Sequence, residues 1–255
     1  MDWIPTISIF FIGAIVGSLL NVLIYRMPID QSIWTPRSHC PQCKKTIPWF
    51  RNIPLLSFLL QKGKCVDCSQ SISLQYPLVE LITGIGWVVS FSMFEPINAL
   101  VTALFISNLI ALAWIDLKTM MIPLSLIISG LVIILITLIL GYLHWTIVLW
   151  GGLAGVALPL TMMGITYFMT KRQGMGWGDI QLGFILGAWL GPWYMMMTLF
   201  LAALLGIFVW LAVSILNGFD KDRPLPFAPY LVVSATVMLF YGSSFSLLFD
   251  RFLLL

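Results

Sequence analysis

The sequence predicts an all-α polytopic membrane protein, with about eight transmembrane helices and one small cytoplasmic loop domain. Three observations predict it. Of the 255 residues, 60% are hydrophobic and only 9% charged, against about 25% charged in soluble domains. Apolar runs of the length that crosses roughly 30 Å of hydrocarbon recur along the chain, and its mean hydropathy is +1.01. The basic residues are confined to one set of connecting segments. A net charge of +3 is too small to suggest nucleic acid, so its distribution matters more than its size.

Taken in order, the spans fall at 3–25, 76–94, 97–115, 122–143, 146–168, 179–191, 193–216 and 226–248. No basic residue precedes the first run and no small-residue cleavage site follows it. Arg26 comes next, so the run reads as an uncleaved span with its N-terminus outside. The run 179–191 is short and is expected to be tilted, broken or buried. Eight spans place 26–75, 116–121, 169–178 and 217–225 on one side, and these hold every Lys and Arg except Arg251. The positive-inside rule makes that side cytoplasmic and both termini external. Three domains follow: the first helix at 1–25, a soluble loop at 26–75, and a membrane-embedded domain at 76–255. Gly13 and Gly17 give span one a close-packing face, Gly84, Gly86, Gly151, Gly152 and Gly155 suggest others, and Pro159 is expected to kink span five.

The loop is basic, with seven Lys and Arg against Asp30 and Asp67, which sets topology and suits anionic lipid as a partner. It also holds all four cysteines, as Cys40-Pro-Gln-Cys43 and Cys65-Val-Asp-Cys68, with 21 residues between the pairs. That interval is just beyond the usual range of tetrathiolate zinc sites, about 15–20 residues. Each pair forms a turn that aims two thiolates at one point, and two turns close a tetrahedron. Disulfides compete as a reading, but a cytoplasmic loop is kept reduced. Four sulfurs leave no open position, so the zinc is expected to be structural and to drive folding of the loop. His39 is an alternative ligand, an outer hydrogen-bond donor, or simply exposed. His144 is assigned no role.

Two acids sit at the rim of the membrane. Gly174-Met175-Gly176-Trp177-Gly178-Asp179 places three glycines and a carboxylate where span six begins, and an ionisable group there suggests function. Capping of the helix is the competing reading. Asp116 ends span three at the same cytoplasmic depth. Two nearby carboxylates cannot both ionise easily, so one holds a proton and the pair can act as general acid and base on a water. Asp220 and Asp222 lie among Lys221 and Arg223 and read as solvated. Glu80, inside span two, reads as a snorkelling group, a partner of Arg26, or a contact to substrate or cofactor.

These residues resemble the type IV prepilin peptidases, bifunctional leader peptidases and N-methyltransferases. The resemblance covers nearly the whole chain: Gly17-Ser18-Leu19-Leu20-Asn21-Val22 with Tyr25-Arg26-Met27-Pro28, Ser38 to Cys43, Ile47-Pro48-Trp49 with Asn52-Ile53-Pro54, and Gly63 to Cys68. It continues through Tyr76 to Leu81, Gly176-Trp177-Gly178-Asp179, and Pro226-Phe227-Ala228-Pro229. It implies that Asp116 and Asp179 are the catalytic pair of an aspartic protease in the bacterial inner membrane. The implied substrate is a prepilin or pseudopilin with a short basic leader and a hydrophobic helix. Cleavage follows a leader glycine at the cytoplasmic face, and the new N-terminus is methylated from S-adenosylmethionine. The resemblance points to the zinc loop and the start of span two for methyl transfer, with Glu80 the candidate for the amine or the cofactor.

Three positions depart from the family pattern: Gln181 in place of a lysine, Leu124 in place of an aspartate after Pro123, and Ala228 in place of a glycine. None removes a candidate catalytic carboxylate. Altered pH dependence is expected from Gln181 rather than inactivity. Two other readings stand beside the peptidase: a related membrane aspartic protease acting on another signal, and a non-catalytic zinc-bearing scaffold for pilus assembly.

Overall fold

Each long apolar run becomes a helix. The computed structural model describes residues 3–171, 175–220 and 224–253, without the side chains of Ser243 and of 245–253. Gly174, Lys221, Asp222 and Arg223 lie outside the described residues. The helices are α1 (Trp3–Arg26), the short α2 (Leu56–Leu60), α3 (Gln75–Met93), α4 (Pro96–Thr119) and α5 (Leu124–Ile139), followed by α6 (Trp145–Thr170), α7 (Trp177–Leu190), α8 (Pro192–Asn217) and α9 (Ala228–Leu253). Among the described residues there is no strand, only two isolated β-bridges. Among the described residues five helices, α1, α3, α4, α6 and α8, are long and apolar enough to cross a membrane. The chain is therefore a multi-pass membrane protein.

The 14 residues of α7 reach only about 21 Å at 1.5 Å per residue, short of a bilayer core. Of the three fates expected for this run, burial is the one observed. Ile180, Leu182, Gly183, Ile185, Leu186, Gly187, Ala188 and Trp189 are all enclosed by protein.

The chain packs as two units, Met1–Ala111 and Leu112–Leu255. In the first, α1 lies against α3 through glycine. A methyl on Gly17 would sit 2.7 Å from the Glu80 Cα, and one on Gly13 would sit 2.7 Å from the Trp87 ring. Trp87 in turn donates its indole N–H to the Ser107 hydroxyl at 3.0 Å, fastening α3 to α4.

In the second unit the closest packing is between α6 and α7. Gly151 faces Gly187 and Gly155 faces Gly183, so that a methyl on any of the four would overlap the partner's carbonyl oxygen. Both pairs are spaced by four residues, which puts them on one face of each helix. Small residues of this kind let backbones meet where no hydrophobic force separates protein from lipid. α6 runs unbroken through Pro159, whose ring lies against the Gly183 backbone. His144 has a role the sequence did not suggest: it is the N-cap of α6, accepting the Thr146 N–H on its ring nitrogen.

Gly187→Leu is expected to lower the thermal unfolding midpoint of the detergent-solubilised protein by the equivalent of about 1–3 kcal/mol or more. Gly164→Leu on the same packing partner, where a methyl meets nothing within 4 Å, is expected to leave it unchanged.

Candidate functional site

The four cysteines come together. Their sulfurs all lie within 4.8 Å of one another, and Cys40 Sγ is 3.9 Å from Cys68 Sγ. A tetrahedral zinc with Zn–S bonds of about 2.3 Å has S···S edges of about 3.8 Å, so the cluster has the right size and donor set for such an ion. The local fold explains the convergence. Cys40 N–H donates to Lys45 O at 3.0 Å and Lys44 N–H to Cys40 O at 2.9 Å. One repeat later, Cys65 N–H donates to Gln70 O and Ser69 N–H to Cys65 O, both at 2.8 Å. Lys44 and Ser69, each just after the second cysteine, both take a left-handed φ of 59°. Bridges His39–Thr46 and Lys64–Ser71 close the two knuckles in the same way. The sequence carries this repeat, in Ser38–Ile47 and Gly63–Ile72.

The thiols do not titrate alike. The Cys43 N–H bonds the Cys40 sulfur and draws its pKa down to about 7. At Cys68 the Gln70 N–H favours the thiolate, but burial and the neighbouring Cys65, Cys43 and Cys40 push the group up to about 11. Four thiols in this space need a cation before all can be thiolates. Lys45 Nζ sits 2.9 Å from Asp67 Oδ1 and ties the knuckles to each other. Its hydrogen bond holds the Asp67 carboxyl below the usual carboxylate range. His39 stands outside the sulfur group, with its ring Nδ1 3.0 Å from Arg37 O.

Both aspartates belong to the second unit. Asp116 is only 5% exposed near the end of α4, and Met120 terminates that helix with φ 52°. Its Oδ2 accepts the backbone N–H of Ala228, the first residue of α9, at 3.1 Å. Asp179 is the third residue of α7, and its Oδ2 accepts the Gly176 N–H, also at 3.1 Å. The capping geometry considered from the sequence is thus present in part, although Gly176 has no side chain to return the bond. Gly178 is glycine for a steric reason: a methyl there would meet the Ile122 Cβ at 2.9 Å. This contact seats the start of α7 against the chain just beyond α4, and Asp116 is close enough for its charge to be felt at Asp179. Each carboxylate is pinned by one oxygen and keeps acceptor capacity on the other. Carboxylates held in this way can serve as general acid and general base on a water.

Glu80 belongs to the first unit. It is 7% exposed and accepts the Leu55 N–H at 2.8 Å together with the Ser18 hydroxyl. The pairing with Arg26 considered from the sequence does not occur. Arg26 instead donates to the carbonyls of Ser32 at 2.8 Å and Pro36 at 2.6 Å, which satisfy its buried guanidinium. Leu55 itself has φ 60°, and Leu56 N–H reaches Pro54 O at 2.6 Å. That is a tight γ-turn of the strained hand, held against the Glu80 carboxylate. Of the departing residues, Gln181 is exposed, Leu124 is 60% exposed at the start of α5, and Ala228 is fully buried with its N–H in use.

A helical membrane protein with two backbone-pinned carboxylates in one unit and a four-thiol cluster in the other is the class these features define. Residues 11–94 match the bacterial peptidase A24 N-terminal domain, and residues 103–211 match the type IV leader peptidase family. Among curated proteins, the prepilin leader peptidase/N-methyltransferase of Aeromonas salmonicida is 33% identical over 274 residues, covering 96% of this chain and 93% of its own. Its namesake from Dichelobacter nodosus is 32% identical, with 96% of both chains covered. That of Myxococcus xanthus is 36% identical over 89% of this chain and 71% of its own. No solved structure matches. The chain belongs to the type IV leader peptidase family.

Gly178→Ala is expected to cost about 1–3 kcal/mol by overpacking. Adding Ile122→Ala is expected to recover most of that loss, so the two effects in a thermal-shift double-mutant cycle should be clearly non-additive.

Proposed function

We propose that this chain is an aspartic endopeptidase that removes the leader of type IV prepilins or pseudopilins. In this reading it works at the cytoplasmic face of the bacterial inner membrane and methylates the new N-terminus from S-adenosylmethionine. The observation that carries the peptidase reading is the pair Asp116 and Asp179, drawn from different helices of one unit, each held by a backbone N–H. One carboxylate removes a proton from water as it attacks the scissile carbonyl, while the other, protonated, donates to the carbonyl oxygen; the first then passes its proton to the leaving amine as the second takes one back from the tetrahedral hydroxyl. A substrate whose helix stays in lipid while its basic leader reaches the rim suits such a site. The basic charge of the 26–75 loop offers that leader no attraction.

By function we divide the chain into the first helix at 1–25, the thiol loop at 26–75 and the peptidase domain at 76–255. Cys40, Cys43, Cys65 and Cys68 would hold a structural zinc, whose charge would offset much of the repulsion among the crowded thiolates and close the loop. S-adenosylmethionine supplies the methyl group. Glu80 is the residue we assign to the cofactor or the amine, because among the described residues of 1–111 it is the one buried carboxylate and it retains acceptor capacity beyond two hydrogen bonds.

Asp116→Asn and Asp179→Asn are each expected to reduce cleavage of a purified prepilin by at least about 10³-fold, as removal of a member of a catalytic unit does, with expression and zinc content unchanged. Substantial cleavage by either variant would overturn the assignment. Elemental analysis is expected to find one zinc per chain, lost in Cys43→Ser together with the protease resistance of the 26–75 loop. Metal-free wild-type protein with an ordered loop would remove zinc from the account.

A further inference from the structure

The segment Pro226-Phe227-Ala228-Pro229 leads into α9, and its backbone, not its side chains, reaches Asp116. Helix N-termini leave their first N–H groups without partners inside the helix. Here Tyr230 N–H and Leu231 N–H both turn back to the Phe227 carbonyl, at 3.1 and 3.2 Å. Pro226 and Pro229 carry no N–H at all. Within 228–231 this leaves the Ala228 N–H as the donor not used by the helix itself, and it goes to Asp116 Oδ2 at 3.1 Å. Both partners are enclosed, with Ala228 at 0% and Asp116 at 5% exposure. In such surroundings a carboxylate oxygen has no water to replace a lost donor.

We infer that Ala228 is a positioning residue for the peptidase reaction: its backbone N–H fixes Asp116 Oδ2 as a permanent acceptor, so the proton shared by the pair and the attacking water are confined to the remaining oxygens. The donor cannot be deprotonated or rotated away, as a side-chain donor can. The two prolines that flank it contribute no competing N–H and fix their own φ. Residue 228 serves through its amide, which explains why alanine can stand where the family pattern has glycine. The Gly176 N–H does the same for Asp179 Oδ2, so the pair is held from two independent backbone segments.

This inference rests on the peptidase reading, and its test separates the two. An amide-to-ester exchange at Ala228 removes the N–H and keeps the shape of the side chain. The same exchange at Val233, an exposed residue further along α9, controls for the loss of one helical hydrogen bond. The Ala228 ester is expected to lower kcat for prepilin cleavage by about 10- to 100-fold, the worth of one hydrogen bond to a charged group, with KM changed less than about twofold. The Val233 ester is expected to keep wild-type kcat, and Ala228→Gly, which retains the N–H, to keep kcat within a few-fold. An Ala228 ester with wild-type kcat overturns the inference, as does a loss shared equally by Ala228→Gly. If Asp116→Asn also cleaves normally, the peptidase assignment itself falls. If Asp116→Asn is inactive while the ester is fully active, only the positioning role is lost.

Discussion

Backbone contact between glycines determines where the helix that carries Asp179 lies. The Gly151–Gly187 and Gly155–Gly183 pairs bring α6 and α7 together with no side chain between them, so α7 has almost no freedom to slide or rotate. α7 is short and largely enclosed from Ile180 onward. Its placement comes from this seam at one end and the Gly178–Ile122 contact at the other. A carboxylate on its first turn therefore inherits a fixed position. Dispersion and close fit do this work in a membrane, where apolar burial alone distinguishes protein from lipid poorly.

Fixed position is not sufficient for an acid in an apolar setting, which must also find donors inside the protein. Asp116 and Asp179 solve this alike, each with a backbone N–H from the start of a helix, where the dipole also favours negative charge. The first unit solves it differently. Glu80 holds a strained γ-turn at Leu55, and Arg26 is satisfied by two carbonyls of its own loop. These two residues bind the soluble loop onto the helices from which it springs. The thiol cluster orders the outer part of the same loop.

Much of this was legible in the sequence because it depends on side chains with distinctive chemistry. The helices followed from apolar length, and the thiol cluster from two Cys-x-x-Cys turns. What was not legible depends on backbone. An amide N–H has no letter, so Ala228 read only as a departure from glycine; its flanking prolines were the available signal. The need for glycine at 178 comes from Ile122, more than fifty residues earlier, and no local pattern contains it. The Arg26–Glu80 pairing is reasonable from the sequence because both charges sit near one helix interface, but two loop carbonyls, those of Ser32 and Pro36, accept from the guanidinium instead. The knuckle repeat was present in plain view and needed only the two cysteine segments set one above the other.

The central claim is that Asp116 and Asp179 act as one acid–base pair on a water, without either becoming the attacking group. A single turnover in heavy-oxygen water tests it most directly. The account predicts that the label enters the new carboxylate of the released leader in the first turnover and that neither aspartate becomes labelled. Unlabelled leader, with the label appearing instead in the side chain of Asp116 or Asp179, would mean a covalent acyl intermediate and would contradict it.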